Sequence, residues 1–249
     1  MEGYKFLRSS QVIILGVCIA AATIASSVIL SQGLFKILKF KEEVITVTGS
    51  AQKAIRSDYV VWSGSFCRRE ALLADAYAKL GDDLVKVKAY LASKGLGEKD
   101  IIVSQISTET VYKKNEKGND TNDIEGYLLT QSVEARSNDV DKVTAISRES
   151  TSLINQGVQF QSWAPEYFYT QLDALKVEML AKATQNAKER ASNMVKATGN
   201  SIGFIRSAKM GVFQITPVNS TTVSDWGEND TTSPDKKVTA VVSASFAIK

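Results

Sequence analysis

The sequence predicts an α+β fold: a mostly antiparallel sheet packed by about three helices and preceded by one N-terminal transmembrane helix. Three observations carry this prediction. Residues 12–30 contain no charged side chain. Apolar residues recur at helical spacings of three and four in residues 70–94, 138–155 and 169–198. Every second residue is apolar in residues 238–248, which is the pattern of a strand with one buried face.

The uncharged N-terminal run is predicted to be an anchor that stays in the protein. As a helix, a run of about nineteen residues spans about 28 Å, close to the hydrocarbon thickness of a bilayer. The apolar core of a signal peptide is shorter, about 7 to 15 residues, and ends at small residues. Here the small residues Ala20, Ala21 and Ala22 lie in the middle, and Val28 and Ile29 follow them. A cleaved signal is the alternative.

Basic and aromatic residues on both sides of the run bear on its orientation. Lys5 and Arg8 precede it and three lysines follow it, so the positive-inside rule does not decide the orientation. A short basic tail ahead of the first apolar segment stays in the cytoplasm, as in signal sequences. We therefore expect a single-pass cell-membrane protein with a cytoplasmic tail at 1–11, an anchor and interfacial segment at 12–38 and an extracytoplasmic domain at 42–249. The predicted interfacial residues, which are aromatic rings and snorkelling lysines, are Phe35, Lys36, Lys39, Phe40 and Lys41.

One face of the predicted span consists of small residues. Gly16, Ala20, Thr23 and Ser27 recur at spacings of four, three and four, which places them on the same side of a helix. Small residues let two helix backbones approach closely in lipid, so this face can pack against a second copy. The alternative is that the face arises by chance, as it often does in an alanine-rich segment. The segment then only tethers the protein.

The elements of the large domain follow from periodicity and turn signals. Those predicted in its first half are strands at 45–49 and 59–66, a helix at 70–94, and strands at 100–112 and 127–136 joined by a charged turn at 113–123. Those predicted in its second half are a helix at 138–155 capped by Asn138, a strand at 158–163, a helix at 169–198, a strand at 204–213, a polar loop at 218–237 and the terminal strand. The long helix carries Ala183 and Ala187 on its inner face, which permits close approach to a sheet.

The composition excludes several classes of chemistry. The chain contains no histidine, which removes Ser-His-Asp and Cys-His catalysis and histidine-ligated metals. Its two cysteines, Cys18 in the apolar run and Cys67 in a predicted strand, are expected to be small buried side chains rather than a disulfide. A formal net charge of +3 with dispersed basic residues gives no support to nucleic acid as a partner. We therefore expect no catalytic, cofactor-binding or metal-binding set of residues.

Six ordered segments are distributed over nearly the whole length of residues 44–249. They are ITVTGSA at 45–51, GLGEKDIIVSQISTETVYKK at 95–114, GYLLTQSVEARSNDVDKV at 126–143, NQGVQFQSW at 155–163, LDALKVEMLAKATQNAKERASNMVKATGNSIG at 172–203 and VTAVVSASF at 238–246. Their order resembles the SIMPL domain family. The resemblance implies a secreted or envelope protein of bacteria or archaea. At least one bacterial member of the family is associated with a large ring-like, channel-shaped oligomer, and bacterial members are linked to oxidative stress. It supplies no catalytic motif.

Three functions remain open from the sequence. The first is a membrane-anchored, extracytoplasmic homo-oligomer that serves as a scaffold, ring or channel-like assembly, with other copies and membrane lipid as its partners. The second is a module that binds a small ligand or partner through the 218–237 loop. The third is an enzyme that uses carboxylates, yet the acidic pairs at 42–43, 82–83 and 139/141 fit surface or capping positions better. Trp163, Pro165 and the aromatic residues 167–169 could line a pocket or an interface of such an enzyme, but they fit loop or core packing better.

Overall fold

The computed structural model describes residues 3–249, with side chains for 12–37 and 43–249. The helices of this described part are α1 (Gly3–Glu42), α2 (Leu73–Ser93), α3 (Val140–Glu149) and α4 (Leu172–Lys196), with short 3-10 helices at Glu98–Asp100 and Ser150–Gln156. Its strands are β1 (Val44–Arg56), β2 (Tyr59–Glu70), β3 (Ile101–Val103), β4 (Ser107–Lys114), β5 (Asp120–Ser137), β6 (Gln159–Ser162), β7 (Glu166–Phe168), β8 (Ile202–Met210), β9 (Gln214–Pro217), β10 (Glu228–Asn229) and β11 (Asp235–Ile248).

The strands form two sheets, and the predicted α+β class with mostly antiparallel pairing is confirmed. The first sheet has the order β1-β11-β9-β10, with β8 also paired to β11. The second has the order β3-β5-β2-β6, with β4 on β5 and β7 on β2. Strands β9 and β10 pair in parallel, whereas β11 pairs antiparallel with β8 and β9. The described pairs of the second sheet are antiparallel.

The chain divides into two compact units. The first contains the chain up to Ala51, Leu180–Gly211 and Val241–Lys249, and the second contains Gln52–Met179 and Val212–Ala240. The second unit has its own apolar core, in which residues of α2 and α3 pack on β2 and β5. Trp62, Phe66 and Leu80 are among its fully buried side chains.

Helix α2 buries a face one turn shorter than the periodicity predicts. Leu80, Val87 and Leu91 lie in the core as expected, but Leu73 and Tyr77 are exposed. The small residue Ala76 is buried in the first turn instead. The large side chains of this turn therefore point to solvent, which apolar spacing alone does not reveal.

In the first unit, the alanine face of α4 lies directly on β1, as predicted. A Cβ atom built on Gly49 would lie 2.3 Å from the carbonyl oxygen of Ala183 and 2.3 Å from the amide nitrogen of Ala187. The backbone N–H of Ser50 donates to the side-chain oxygen of Asn186 at 3.1 Å. Close approach of helix and strand therefore depends on the absence of side chains at their crossing.

Several predicted elements have different bounds in the structure. The strand expected at 100–112 is two strands, because the chain leaves the ladder between Val103 and Ser107. The strand expected at 204–213 ends at Met210, and β9 follows it. The polar segment 218–237 contains β10 and the first residues of β11. The cap of α3 is Asp139, which accepts from the backbone N–H of Lys142, and not Asn138.

Candidate functional site

Helix α1 contains the candidate membrane span. The segment Val12–Ile37 has 26 residues and a mean hydropathy of 2.5. None of its most apolar window is buried within the protein. By length and composition it is a candidate membrane anchor or signal sequence.

The small-residue face of α1 is exposed along its length. Gly16, Ala20, Thr23 and Ser27 are all exposed, and no atom lies within 4 Å of a Cβ built on Gly16. The Thr23 hydroxyl donates to the carbonyl oxygen of Ala20 at 2.9 Å, so its proton is used within the helix. Packing of this face against a second copy stays a prediction.

The predicted interfacial residues lie in the last turns of α1. Phe35 and Lys36 are exposed there. The side chains of Lys39, Phe40 and Lys41 lie outside the described ones. Helix α1 ends at Glu42 and β1 begins at Val44, so one residue joins the two elements.

This short connection determines which strand ends of the first unit lie beside α1. The carbonyl oxygen of Glu43, the connecting residue, accepts from the N–H of Ile248 at 2.9 Å. Next along the chain, Lys249 exchanges backbone hydrogen bonds with Ser201 at 2.7 and 2.9 Å. The starts of β1 and β8 and the end of β11 therefore lie next to the end of α1.

The hairpin of β4 and β5 extends beyond its sheet. Strand β2 pairs with β5 only as far as Glu70 opposite Tyr127, whereas β4 and β5 remain paired to Lys114 opposite Asp120. Residues 111–126 are therefore a two-stranded ribbon, which we call the β4–β5 ribbon. Tyr112 and Ile124 face each other across it and are 41% and 49% exposed. The ribbon thus presents an apolar cross-strand pair to solvent.

Asp83 is not the surface carboxylate that the sequence predicts. Its side chain is fully buried, and it accepts hydrogen bonds from Nε and Nη2 of Arg68, the latter at 2.7 Å. The Asp83 bond is the largest influence on Arg68 and raises the pKa of its guanidinium. Nη2 of Arg68 also donates to the carbonyl oxygen of Gly157 at 2.7 Å. The pair has the geometry of a structural tie between α2, β2 and the turn before β6. Asp83 lies three residues after Leu80 and four before Val87, so its place on the apolar face was the available signal.

A second charged pair is buried in the second unit. Lys236 donates to the carbonyl oxygens of Tyr167, at 2.6 Å, and of Asp230. Desolvation lowers the pKa of Lys236, and the charge of Asp230 only partly opposes this. Burial alone would raise the pKa of Asp230, but hydrogen bonds from Thr232 and the charge of Lys236 outweigh it and hold the value below normal.

A lysine with a lowered pKa is a known catalytic device, so the space around Lys236 decides its role. The cavity beside it has a volume of about 70 Å³ and is lined also by Tyr167, Tyr169 and Asn229. Such a cavity holds water molecules rather than an organic substrate. Lys236 therefore joins β7 to the residues before β11.

Cysteine and acidic residues form no metal site in the described residues. No group of three or more histidine, cysteine, aspartate or glutamate side chains occurs there that could hold a metal ion. Cys67 is half-buried rather than buried, and lies beside a cleft of about 540 Å³ that Gln159 and Phe160 also line. Cys18 is exposed on α1. The expectation that both cysteines are buried is wrong.

The aromatic residues after β6 do line clefts. Trp163, Pro165 and Tyr167 border one cleft of about 420 Å³ together with Arg148. Tyr167 is buried, whereas Trp163 is 44% exposed. Packing alone, which the sequence favours for these residues, therefore does not describe them, because they border an open cleft in the second unit.

The fold and the N-terminal span define the class: an α+β protein with one candidate membrane anchor or signal sequence. The chain belongs to the SIMPL family, whose description is a protein of unknown function (DUF541) and which matches residues 45–246. None of the curated proteins matches this chain.

One solved structure has a slight similarity to this chain. A crystal structure of an amidase of the hydantoinase/carbamoylase family from Burkholderia phymatum shares 11% identity and a TM-score of 0.26 with this chain. The match covers 50% of this chain and 31% of the amidase, so it spans about a third of that protein. At this TM-score the likeness carries no argument about fold or activity.

Proposed function

We propose that this protein is anchored in the cell membrane by α1 with its N-terminus in the cytoplasm. Its domain at 42–249 then lies outside the cytoplasm and assembles into a large homo-oligomer with a scaffold or envelope role. A ring or channel-like arrangement is one form of such an assembly. Its partners are other copies of the chain and membrane lipid, and the proposal includes no nucleic acid, cofactor or catalysis.

The β4–β5 ribbon is the observation that carries self-assembly. An isolated two-stranded ribbon is only marginally stable in water, because one pair of strands buries little apolar surface. Here the ribbon keeps Tyr112 and Ile124 exposed on neighbouring strands. The outer edge of β4 also has backbone groups with no neighbouring strand in the described chain. A second copy that covers the apolar pair or extends the sheet satisfies both features.

Anchoring favours this contact. Confinement of many copies to one membrane raises their effective concentration, so weak lateral contacts become occupied. The small-residue face of α1 offers a second contact inside lipid. The ribbon and this face can be tested one at a time because they lie on different elements.

The first experiment measures the mass of the full chain purified in detergent, by light scattering corrected for the micelle. We expect a mass several times the 27.1 kDa of one chain. Ile124→Glu places a charge in the apolar pair and should lower the mass. Ile154→Glu is the matched control, because Ile154 is 53% exposed in the 3-10 helix Ser150–Gln156, away from the ribbon and from the sheet edge formed by β3 and β4. A monomeric mass for the unaltered protein rejects self-assembly, and equal effects of the two variants reject the ribbon.

The anchor face is tested by one further pair of variants. Ala20→Leu enlarges a residue on the small-residue face, whereas Ala25→Leu makes the same change on the opposite side of α1. If the face packs against another copy, only Ala20→Leu lowers the mass of the particle. If both variants keep the mass of the unaltered protein, α1 only tethers the domain.

A further inference from the structure

The cleft beside Trp163 has fixed walls. It lies in the second unit, between α3 and the segment that joins β6 to β7. The backbone N–H of Trp163 donates to the carbonyl oxygen of Ser63 at 3.1 Å, and the backbone N–H of Tyr167 donates to the carbonyl oxygen of Thr231 at 2.8 Å. The hydroxyls of Tyr167 and Thr144 are 3.0 Å apart and hydrogen-bonded, which joins the segment to α3. Its volume of about 420 Å³ lies within the usual range for small-ligand sites, about 300 to 1,000 Å³.

The lining of the cleft is one large ring and many hydroxyls. Trp163 is 44% exposed although it borders the cleft, so part of its ring faces the open space. Beside it, Pro165 restricts the backbone. The hydroxyl-bearing residues of the lining are Thr144, Ser147, Thr151, Ser162, Tyr167 and Thr232. Except for Thr151, these hydroxyls already make hydrogen bonds within the protein, and Ser147 and Tyr167 are buried, so the lining offers a ligand chiefly hydroxyl oxygens that accept. An aromatic face with surrounding acceptor oxygens suits a ligand that has both C–H faces and hydroxyl donors.

Arg148 gives the cleft its charge. It is the one charged side chain in the lining, and it makes no hydrogen bond or ion pair with other described residues. The neighbouring carboxylate of Glu149 is paired with Lys94 at 2.5 Å. Glu166 precedes Tyr167 in β7 and points to the opposite face of that strand. The cleft therefore offers an uncompensated guanidinium, which binds carboxylates through two parallel hydrogen bonds.

From these features we propose that the cleft binds a saccharide that carries a carboxylate group. The sugar ring stacks on Trp163, its hydroxyls donate to hydroxyl oxygens of the lining, and its carboxylate pairs with Arg148. A peptide ligand suits the lining less well, because the cleft has one exposed aromatic ring and few other apolar side chains. The site depends neither on the membrane anchor nor on self-assembly, so the two proposals can fail independently.

Calorimetric titration of the full chain in lipid nanodiscs tests this site. Nanodiscs are required because maltoside and glucoside detergents are themselves saccharides. The probes are tri-galacturonate, its methyl ester, which has the same sugar rings without the charge, and acetate, which has the charge without the sugar. We expect saturable binding of tri-galacturonate, at least tenfold weaker binding of the ester and no measurable binding of acetate.

Variants then locate the binding. Arg148→Gln should reduce the affinity for tri-galacturonate to that for the ester, and Trp163→Ala should weaken both at least tenfold. Trp226→Ala is the matched control, because Trp226 is 95% exposed and lies outside the cleft, and it should leave both affinities unchanged. Circular dichroism checks folding. If Trp163→Ala does not fold, exposed Arg148 still supports the test through Arg148→Gln alone.

Each other outcome overturns the proposal. No saturable heat with tri-galacturonate up to millimolar concentration removes the ligand class. Equal affinities for the acid and the ester remove the role of Arg148, as does unchanged binding in Arg148→Gln. Equal losses in Trp163→Ala and Trp226→Ala place the binding elsewhere.

Discussion

Gly49 provides the sharpest test of how β1, the strand that follows α1, is held in place. It lies in β1, five residues after that strand begins, at the point where α4 crosses. Gly49→Ala adds a Cβ atom 2.3 Å from Ala183 O and 2.3 Å from Ala187 N, whereas ordinary contacts of a Cβ atom begin near 3.4 Å. Both neighbours are backbone atoms of a helix, so no rotation of a side chain relieves the clash.

The expected loss of stability follows from the shift that the clash requires. Helix and strand must separate by about 1 Å to restore contact distances. Overpacking of a core costs about 1 to 3 kcal/mol, and a rigid backbone neighbour puts the cost at the upper end. The shift also strains two hydrogen bonds beside Gly49, from Ser50 to Asn186 and from Arg190 to Thr48, each worth about 1 kcal/mol. We therefore expect Gly49→Ala to lower the free energy of unfolding by about 3 to 5 kcal/mol.

Urea unfolding of the full chain, followed by circular dichroism, measures this loss, because that signal comes from the helices of both units, whereas the three tryptophans all lie in the second unit. Gly81→Ala is the control, because no atom lies within 4 Å of a Cβ built on Gly81 in α2. There the same substitution removes a flexible residue from a helix and should stabilise by about 0.5 to 1 kcal/mol. The two variants thus change stability in opposite directions. If Gly49→Ala is as stable as the unaltered protein, the crossing is looser than the structure shows and the reasoning fails.

Two further predictions concern buried polar groups of the second unit. Asp83→Asn leaves the Arg68 guanidinium without its counter-charge and should lower the free energy of unfolding, measured in urea, by about 3 kcal/mol. The control is Asp82→Asn, at the exposed neighbouring residue, which should alter this free energy by less than about 0.5 kcal/mol. Burial, and secondarily the charge of Glu149, raises the pKa of Tyr90 from 10.0 to about 12. The folded state then binds more protons than the unfolded state between these values, so stability should fall by up to about 2 to 3 kcal/mol as pH rises through them. The same titration in Tyr90→Phe should lack this fall, and an identical pH dependence in both proteins would contradict the assignment.

The elements that the sequence predicts best are those whose pattern is local. Strand β11 alternates apolar residues without a break, and its predicted start at 238 lies three residues from the observed Asp235. Helix α4 keeps apolar or small residues on one face, and Ala183 and Ala187 are fully buried there. In both elements each residue's environment follows from its place in a repeat, so the periodicity is sufficient.

The missed features depend on contacts between distant parts of the chain. Strand β7 has three residues, and it exists because Tyr167 pairs with Val60 in β2, far away in sequence. The β4–β5 ribbon reaches to Lys114 and Asp120 because hydrogen bonds across it order polar residues that otherwise favour a turn. Neither feature has a repeat long enough to detect.

The candidate site shows the same division. The candidate span could be predicted from composition, because a bilayer requires a long apolar run, whereas packing by its small-residue face and anchoring by the interfacial residues stay predictions. The cleft required the fold, since Arg148 belongs to α3 and Trp163 to the segment after β6. The sequence showed the aromatic cluster at 163–169, but it did not show that Arg148 lies beside this cluster and gives the cleft its charge.

Assembly and ligand binding can be separated, and the separation itself is informative. The ribbon variant Ile124→Glu and the cleft variant Arg148→Gln alter different elements, so each should change one measurement and leave the other unchanged. A ribbon variant that lowers the mass of the particle and also abolishes saccharide binding has a specific meaning: a neighbouring copy then completes the cleft. A cleft variant that changes only the affinity shows that one chain binds the ligand by itself. The ribbon and the cleft are both in the second unit. Particle mass and saccharide affinity should therefore be measured for both variants. The results distinguish a scaffold whose copies each carry an independent site from one whose sites form only when copies assemble.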